Sequence, residues 1–224
     1  MGDAIGEMLP SAIGVAISPV PIVAVVLMLV TERAKANGPA FVLGWWLGLA
    51  IVGAVVLVAS GSVGASDEGE PETWVSILKL LLGVALLLLA ARQWKSRPAE
   101  GESPKVPGWM DTLDSFTPVK AAGTAAFLSG VNPKNLLLTV AGAAAIAQTG
   151  ISGGEQAIAM IVFILIASIG VVGPVAVYFL FGDRSRTFLA ELKDWMEHNN
   201  ATIMAVLLLL IGVKLIGDAI SGLT

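Results

Sequence analysis

The chain has 224 residues, of which 56% are hydrophobic and only 13% charged. A soluble domain carries about 25% charged residues, so this composition excludes an ordinary soluble globular protein and points to a polytopic membrane protein. Six segments of about 20 residues each would occupy roughly half the chain, leaving no room for a separate soluble domain of ordinary size. There is no cysteine and one histidine, His198. Thiolate chemistry, iron–sulfur centres and a paired-histidine zinc site are therefore excluded, and neither a metal nor a cofactor is expected. The net charge of −4, without a basic block, argues against a nucleic-acid partner.

In chain order, six apolar spans are predicted at 8–30, 39–61, 74–93, 119–147, 156–181 and 200–221. Asp3 and Glu7 precede the first, and no Lys or Arg occurs before Arg33, so the start is not read as a cleaved signal peptide. Asn37-Gly38-Pro39 suits the start of span two, Thr73 a cap of span three, Thr117-Pro118 the start of span four, and Asn199 or Asn200 a cap of span six. Trp74 and Trp94 bracket span three as interfacial aromatics. Gly44 and Gly48 in span two read as internal packing ahead of a homodimer face.

Ten of the 13 basic residues fall on alternate loops: Arg33 and Lys35; Arg92, Lys95, Arg97, Lys105 and Lys120; Arg184, Arg186 and Lys193. The positive-inside rule makes that side cytoplasmic and puts both termini outside. Loop 62–73 carries Asp67, Glu68, Glu70 and Glu72, as a solvated exterior loop would. Segment 94–118 reads as a linker, with Trp109, Met110, Leu113 and Phe116 as a short apolar face. Segment 184–197 reads as an interfacial amphipathic helix through Phe188, Leu189, Leu192, Trp195 and Met196.

The linker divides the chain into a first three-helix repeat (1–96), a cytoplasmic linker (97–117) and a second repeat (118–224). Span one contains G-V-A-I-S-P-V-P and span four L-S-G-V-N-P-K-N; each sets a polar residue directly before a proline in mid-span. Gly83 in span three is matched by Gly212 in span six. Three spans per half make the repeat inverted, an arrangement typical of secondary transporters. The expected fold is thus all-α, with six transmembrane helices of which the first and fourth are broken.

Proline deletes a backbone hydrogen bond, and in lipid the freed carbonyl needs protein or a water-lined cavity. The candidate substrate or ion site therefore lies at Ser18, Pro19, Pro21, Asn132, Pro133, Lys134 and Asn135. The three remaining basic residues lie within spans. Lys79 sits near an end and can snorkel. Lys214 can pair with Asp218 at i,i+4. Lys134 has no acidic neighbour in sequence, and an intramembrane lysine of that kind is a functional-site hypothesis, for an anion or for proton coupling. A Lys134–Asp218 contact would make a gate.

The S-P-V-P, N-P-K-N and P-G-W-M segments within a 3+3 layout resemble the GAP/Sap family, the peptidoglycolipid- and sulfolipid-addressing proteins of actinobacteria, grouped with the lysine-exporter (LysE) superfamily. The resemblance implies a multi-pass protein of the bacterial plasma membrane that exports a small solute or an envelope lipid. One departure is Ser18-Pro19-Val20-Pro21, where many amino-acid exporters carry Pro-Gly-Pro. Two functions are carried forward: a secondary exporter working by alternating access, or a non-transporting accessory of an envelope-lipid export machinery. No Walker motif is present, and an enzyme is not expected, since Gly217-Asp218 lacks a second intramembrane aspartate.

Overall fold

A computed structural model describes residues 1–63, 73–97 and 115–223. Among them every regular element is helical: α1 (Gly2–Ala16), α2 (Pro19–Leu29), α3 (Ala34–Val63), α4 (Thr73–Lys95), α5 (Pro118–Gly130), α6 (Pro133–Gln148), α7 (Gly153–Ala167), α8 (Ile169–Phe181) and α9 (Ser185–Ser221), with one 3-10 turn at Gly182–Arg184. The acidic run of loop 62–73, Lys105 and the linker residues Trp109, Met110 and Leu113 lie outside the described residues, as do the side chains of Thr73 and Trp74.

Three helical stretches are long and apolar enough to cross a membrane: Ala34–Ser60, Ser76–Lys95 and Ser185–Ser221. Two bent pairs, α1 with α2 and α7 with α8, bring the number to five if each pair is one span. The chain is therefore a multi-pass membrane protein. The α5–α6 segment is not among these pairs; it is rich in Ala and carries Lys120 and Lys134.

Both expected breaks are present. Helix stops at Ala16 and resumes at Pro19 after a 50° bend, and stops at Gly130 and resumes at Pro133. Three expectations need correction. Helix α3 starts at Ala34, so Asn37-Gly38-Pro39 lies inside it. Pro39 is tolerated because the carbonyl it deprives belongs to Lys35, which is exposed at the helix end. Segment 184–197 and span six form one continuous helix, α9. The presumed caps do not stop it: Asn199 Nδ2 donates to the Trp195 carbonyl (2.9 Å), and Lys193 pairs with Glu197 one turn on (3.2 Å). Span five, not read as broken from the sequence, bends by 58° at Ser168.

Glycines set how closely the helices approach. Along α3, a Cβ on Gly44 would strike the Ala122 backbone of α5, and one on Gly48 would strike Ser129 Oγ and the Ala126 backbone. The G-x-x-x-G is therefore spent on an intramolecular contact. Gly83 of α4 and Gly212 of α9 face each other: a Cβ on either would lie 3.0–3.1 Å from the other's carbonyl oxygen.

Gly44→Ala and Gly48→Ala force α3 off α5 and should each lower stability by about 1–3 kcal/mol. Gly123→Ala and Gly173→Ala, where nothing lies within 4 Å of the added Cβ, should be near neutral. Thermal unfolding in detergent micelles checks both pairs.

Candidate functional site

The first break is organised by two prolines. Pro19 has no N–H for the Val15 carbonyl, and the Ser18 N–H takes that acceptor instead (3.1 Å). Ser18, Pro19 and Pro21 are all buried. The Ala16 carbonyl leaves the helical ladder and points at Gly170 of α8, where any side chain would collide with it.

The second break is repaired by side chains. Asn132 caps α6, its Oδ1 accepting from the Lys134 N–H (3.2 Å). The Asn132 N–H bonds back to the Phe127 carbonyl (3.0 Å). The Leu128 carbonyl, left without its usual i+4 partner, accepts from Asn135 Nδ2 at 2.8 Å. Asn135 is fully buried, as is Thr139, whose hydroxyl donates to the Asn135 carbonyl (2.8 Å). Pro133 is exposed.

Lys134, the second residue of α6, ends in an enclosed ammonium. Among the described residues nothing hydrogen-bonds to its Nζ. The Asn135 Oδ1 is equally enclosed and also lacks a partner. A desolvated cation without a counter-charge is costly, and each of the two atoms keeps hydrogen-bonding capacity unused, the ammonium as donor and the amide oxygen as acceptor.

The two broken spans meet through α1 and α6, which pack along each other. Gly14, one turn before the first break, stands against Leu138 of α6 and Ile211 of α9. No hydrogen bond among the described residues joins Ser18 to Lys134 or Asn135. The gate drawn between Lys134 and Asp218 is not formed. Asp218 Oδ2 is held by Lys214 Nζ at 2.7 Å, the i,i+4 pair expected from sequence. Lys214 Nζ also holds Glu7 Oε2 of α1 at 2.8 Å, and Lys79 of α4 lies within Coulombic reach of both acids. Glu7 carried no local signal, since 207 residues separate it from Lys214.

A third break went unread in the sequence because it has no proline at its corner. Ser168 donates its hydroxyl to the Ile164 carbonyl one turn back, a bond that bends helices. Trp46 Nε1 of α3 then donates to Ser168 Oγ (3.1 Å). The small residue that follows, Gly170, admits the Ala16 carbonyl. The bend of span five is thus built against the break of span one. Among the described residues no group of three His, Cys, Asp or Glu could hold a metal ion.

Asn135→Ala removes the donor that satisfies the Leu128 carbonyl. It should lower stability by about 1–3 kcal/mol, read as a drop in unfolding temperature. Ser168→Ala removes the acceptor of the Trp46 indole and should likewise lower the unfolding temperature.

A family model described as Sap, sulfolipid-1-addressing protein, matches residues 8–221. No curated protein matches the chain. No solved structure matches it either.

Proposed function

The chain belongs to the Sap, sulfolipid-1-addressing protein, family, and on that premise we propose that it exports an anionic envelope lipid across the plasma membrane by alternating access. The observation that carries this reading is Lys134: an enclosed ammonium without a partner, at the break between α5 and α6. A sulfate or phosphate on a lipid headgroup is the chemistry that completes it. Ser18, Pro19, Pro21, Asn132, Pro133 and Asn135, at the two breaks, are the other residues assigned to the site, and the reading requires no covalent step.

The packing supports a six-span, inverted 3+3 architecture divided at 97–117. Exchanging the halves maps α1 on α5, α2 on α6, α3 on α7–α8, and α4 on α9. Under that exchange α3 on α5 has its counterpart in α7 on α1, and α2 on α9 in α6 on α4; all four contacts occur. The mutual approach of Gly83 and Gly212, the matched glycines of the two halves, fits a pseudo-twofold relation between them. The basic loops then place both termini outside.

An accessory role has one observation of its own. At about 1.5 Å per residue, α9 spans about 55 Å, well beyond a hydrocarbon core of about 30 Å. Its N-terminal turns expose Phe188 and Trp195, both more than half accessible. Such a surface could dock a larger export machine. Lipid transfer by the purified protein alone would overturn that alternative.

Lys134→Met should leave the protein folded, with an unfolding temperature equal to or above wild type, because an apolar isostere replaces an uncompensated charge. Transfer of a fluorescent sulfated glycolipid in proteoliposomes should fall at least about tenfold. Wild-type flux in this variant would remove Lys134 from the site. A reporter fused after residue 224 should be active only outside the cytoplasm; the opposite result inverts the orientation.

A further inference from the structure

The half-to-half exchange that relates the packing is incomplete, and it fails most plainly at the broken spans. Helix α1 packs along α6. Its counterpart would be α5 along α2, and among the described residues those two helices do not pack against each other. The broken spans are therefore closed on one side of their breaks, where the α1 and α6 halves meet. On the other side α2 and α5 stand apart. Two nearly equivalent arrangements exist for an inverted repeat, and the second would bring α2 onto α5 while α1 leaves α6.

The closed side carries an ion-pair network that joins the two halves of the chain. Glu7 of α1 and Asp218 of α9 share Lys214 Nζ at 2.8 and 2.7 Å. Lys79 of α4 lies within Coulombic reach of both carboxylates and of Lys214. Glu7 sits 11 residues before Ser18, about 16 Å along the helix at 1.5 Å per residue, so α1 is a lever with its hinge at Ile17-Ser18 and its tip held at Lys214. The N-terminal ammonium also lies within Coulombic reach of Glu155 of α7, but among the described residues Glu7 makes the tip's one direct ion pair.

We propose that the Glu7–Lys214–Asp218 network is a latch that holds the α1 lever on α6, and that it opens when the chain exposes its site on the Glu7 side. Lys214 keeps Asp218 as a resident partner throughout, so only the Glu7 contact has to break. The residual ion pair lowers the cost of leaving Lys214 in the span. The proposal extends the exporter reading by naming the contact that alternates, yet its first test needs no transport.

The chain has no cysteine, so single thiols report cleanly. Ser11 lies on α1 and is buried. In detergent, Ser11→Cys should react with a soluble maleimide about two- to fivefold faster when Glu7→Gln is added, the shift expected from losing one partly exposed ion pair. Lys193→Met, which removes an unrelated pair on α9, should leave the rate unchanged. Equal rates with and without Glu7→Gln would overturn the latch; acceleration by Lys193→Met as well would overturn it too, as mere loosening. A second arm uses Glu7→Cys with Lys214→Cys. A bifunctional methanethiosulfonate reagent of side-chain length should cross-link the pair and stop lipid transfer in proteoliposomes, and reductant should restore it. Full transfer by the cross-linked protein would refute the latch. If the wild-type protein moves no lipid, the exporter reading fails, and the maleimide rates still decide the latch.

Discussion

Every backbone carbonyl set free inside a membrane has to find a donor within the protein. Three helix breaks in this chain follow from how that is met. At the first, the Ser18 N–H replaces what Pro19 lacks. At the second, the amide of Asn135 takes the Leu128 carbonyl that the turn before Pro133 leaves free. At the third, no proline intervenes at the corner, and a serine hydroxyl captures its own helix's carbonyl while an indole from α3 secures the serine. Each repair is local and polar, and each fixes a bend. The bends allow half-helices to end in mid-protein.

Small residues turn these bends into a packed bundle. Association in lipid depends on close van der Waals approach, because apolar surface gains little by leaving hydrocarbon for protein. Gly44 and Gly48 let α3 lie against α5, Gly83 and Gly212 let α4 lie against α9, and Gly170 lets a carbonyl rather than a side chain fill the corner between spans one and five. Large apolar side chains such as Leu43, Val58, Leu88 and Leu180 are left on the outside, where lipid takes the place of a core. A soluble fold would be arranged the other way.

Much of this was legible in the sequence, and the reasons are specific. Prolines preceded by Ser18 and Asn132 announce breaks because a missing N–H is written in the residue itself. Low charge announces spans, and the i,i+4 spacing announces Lys214 with Asp218. The bend at Ser168 was not legible, because a serine bends a helix only when its rotamer and a neighbour such as Trp46 allow. The continuity of α9 through Asn199 was hidden for the converse reason: a residue that often ends helices can also bond back along one. Glu7 on Lys214 could not be read at all, since it depends on two ends of the chain meeting. Whether Lys134 had a partner was likewise a question of three-dimensional surroundings, and its enclosure without one emerged only with the fold.

The ammonium of Lys134, without a hydrogen-bond partner among the described residues, also gives the proposed export a consequence for stability. On that proposal, its enclosed charge makes the vacant chain the less stable member of the vacant–loaded pair. Any guest that neutralises it is thermodynamically linked to folding and raises the melting temperature in proportion to the logarithm of its concentration above its dissociation constant. The heat resistance of the detergent-solubilised protein thereby becomes a chemical sense of its own, able to rank sulfated, phosphorylated and neutral headgroups without any vesicle, gradient or flux.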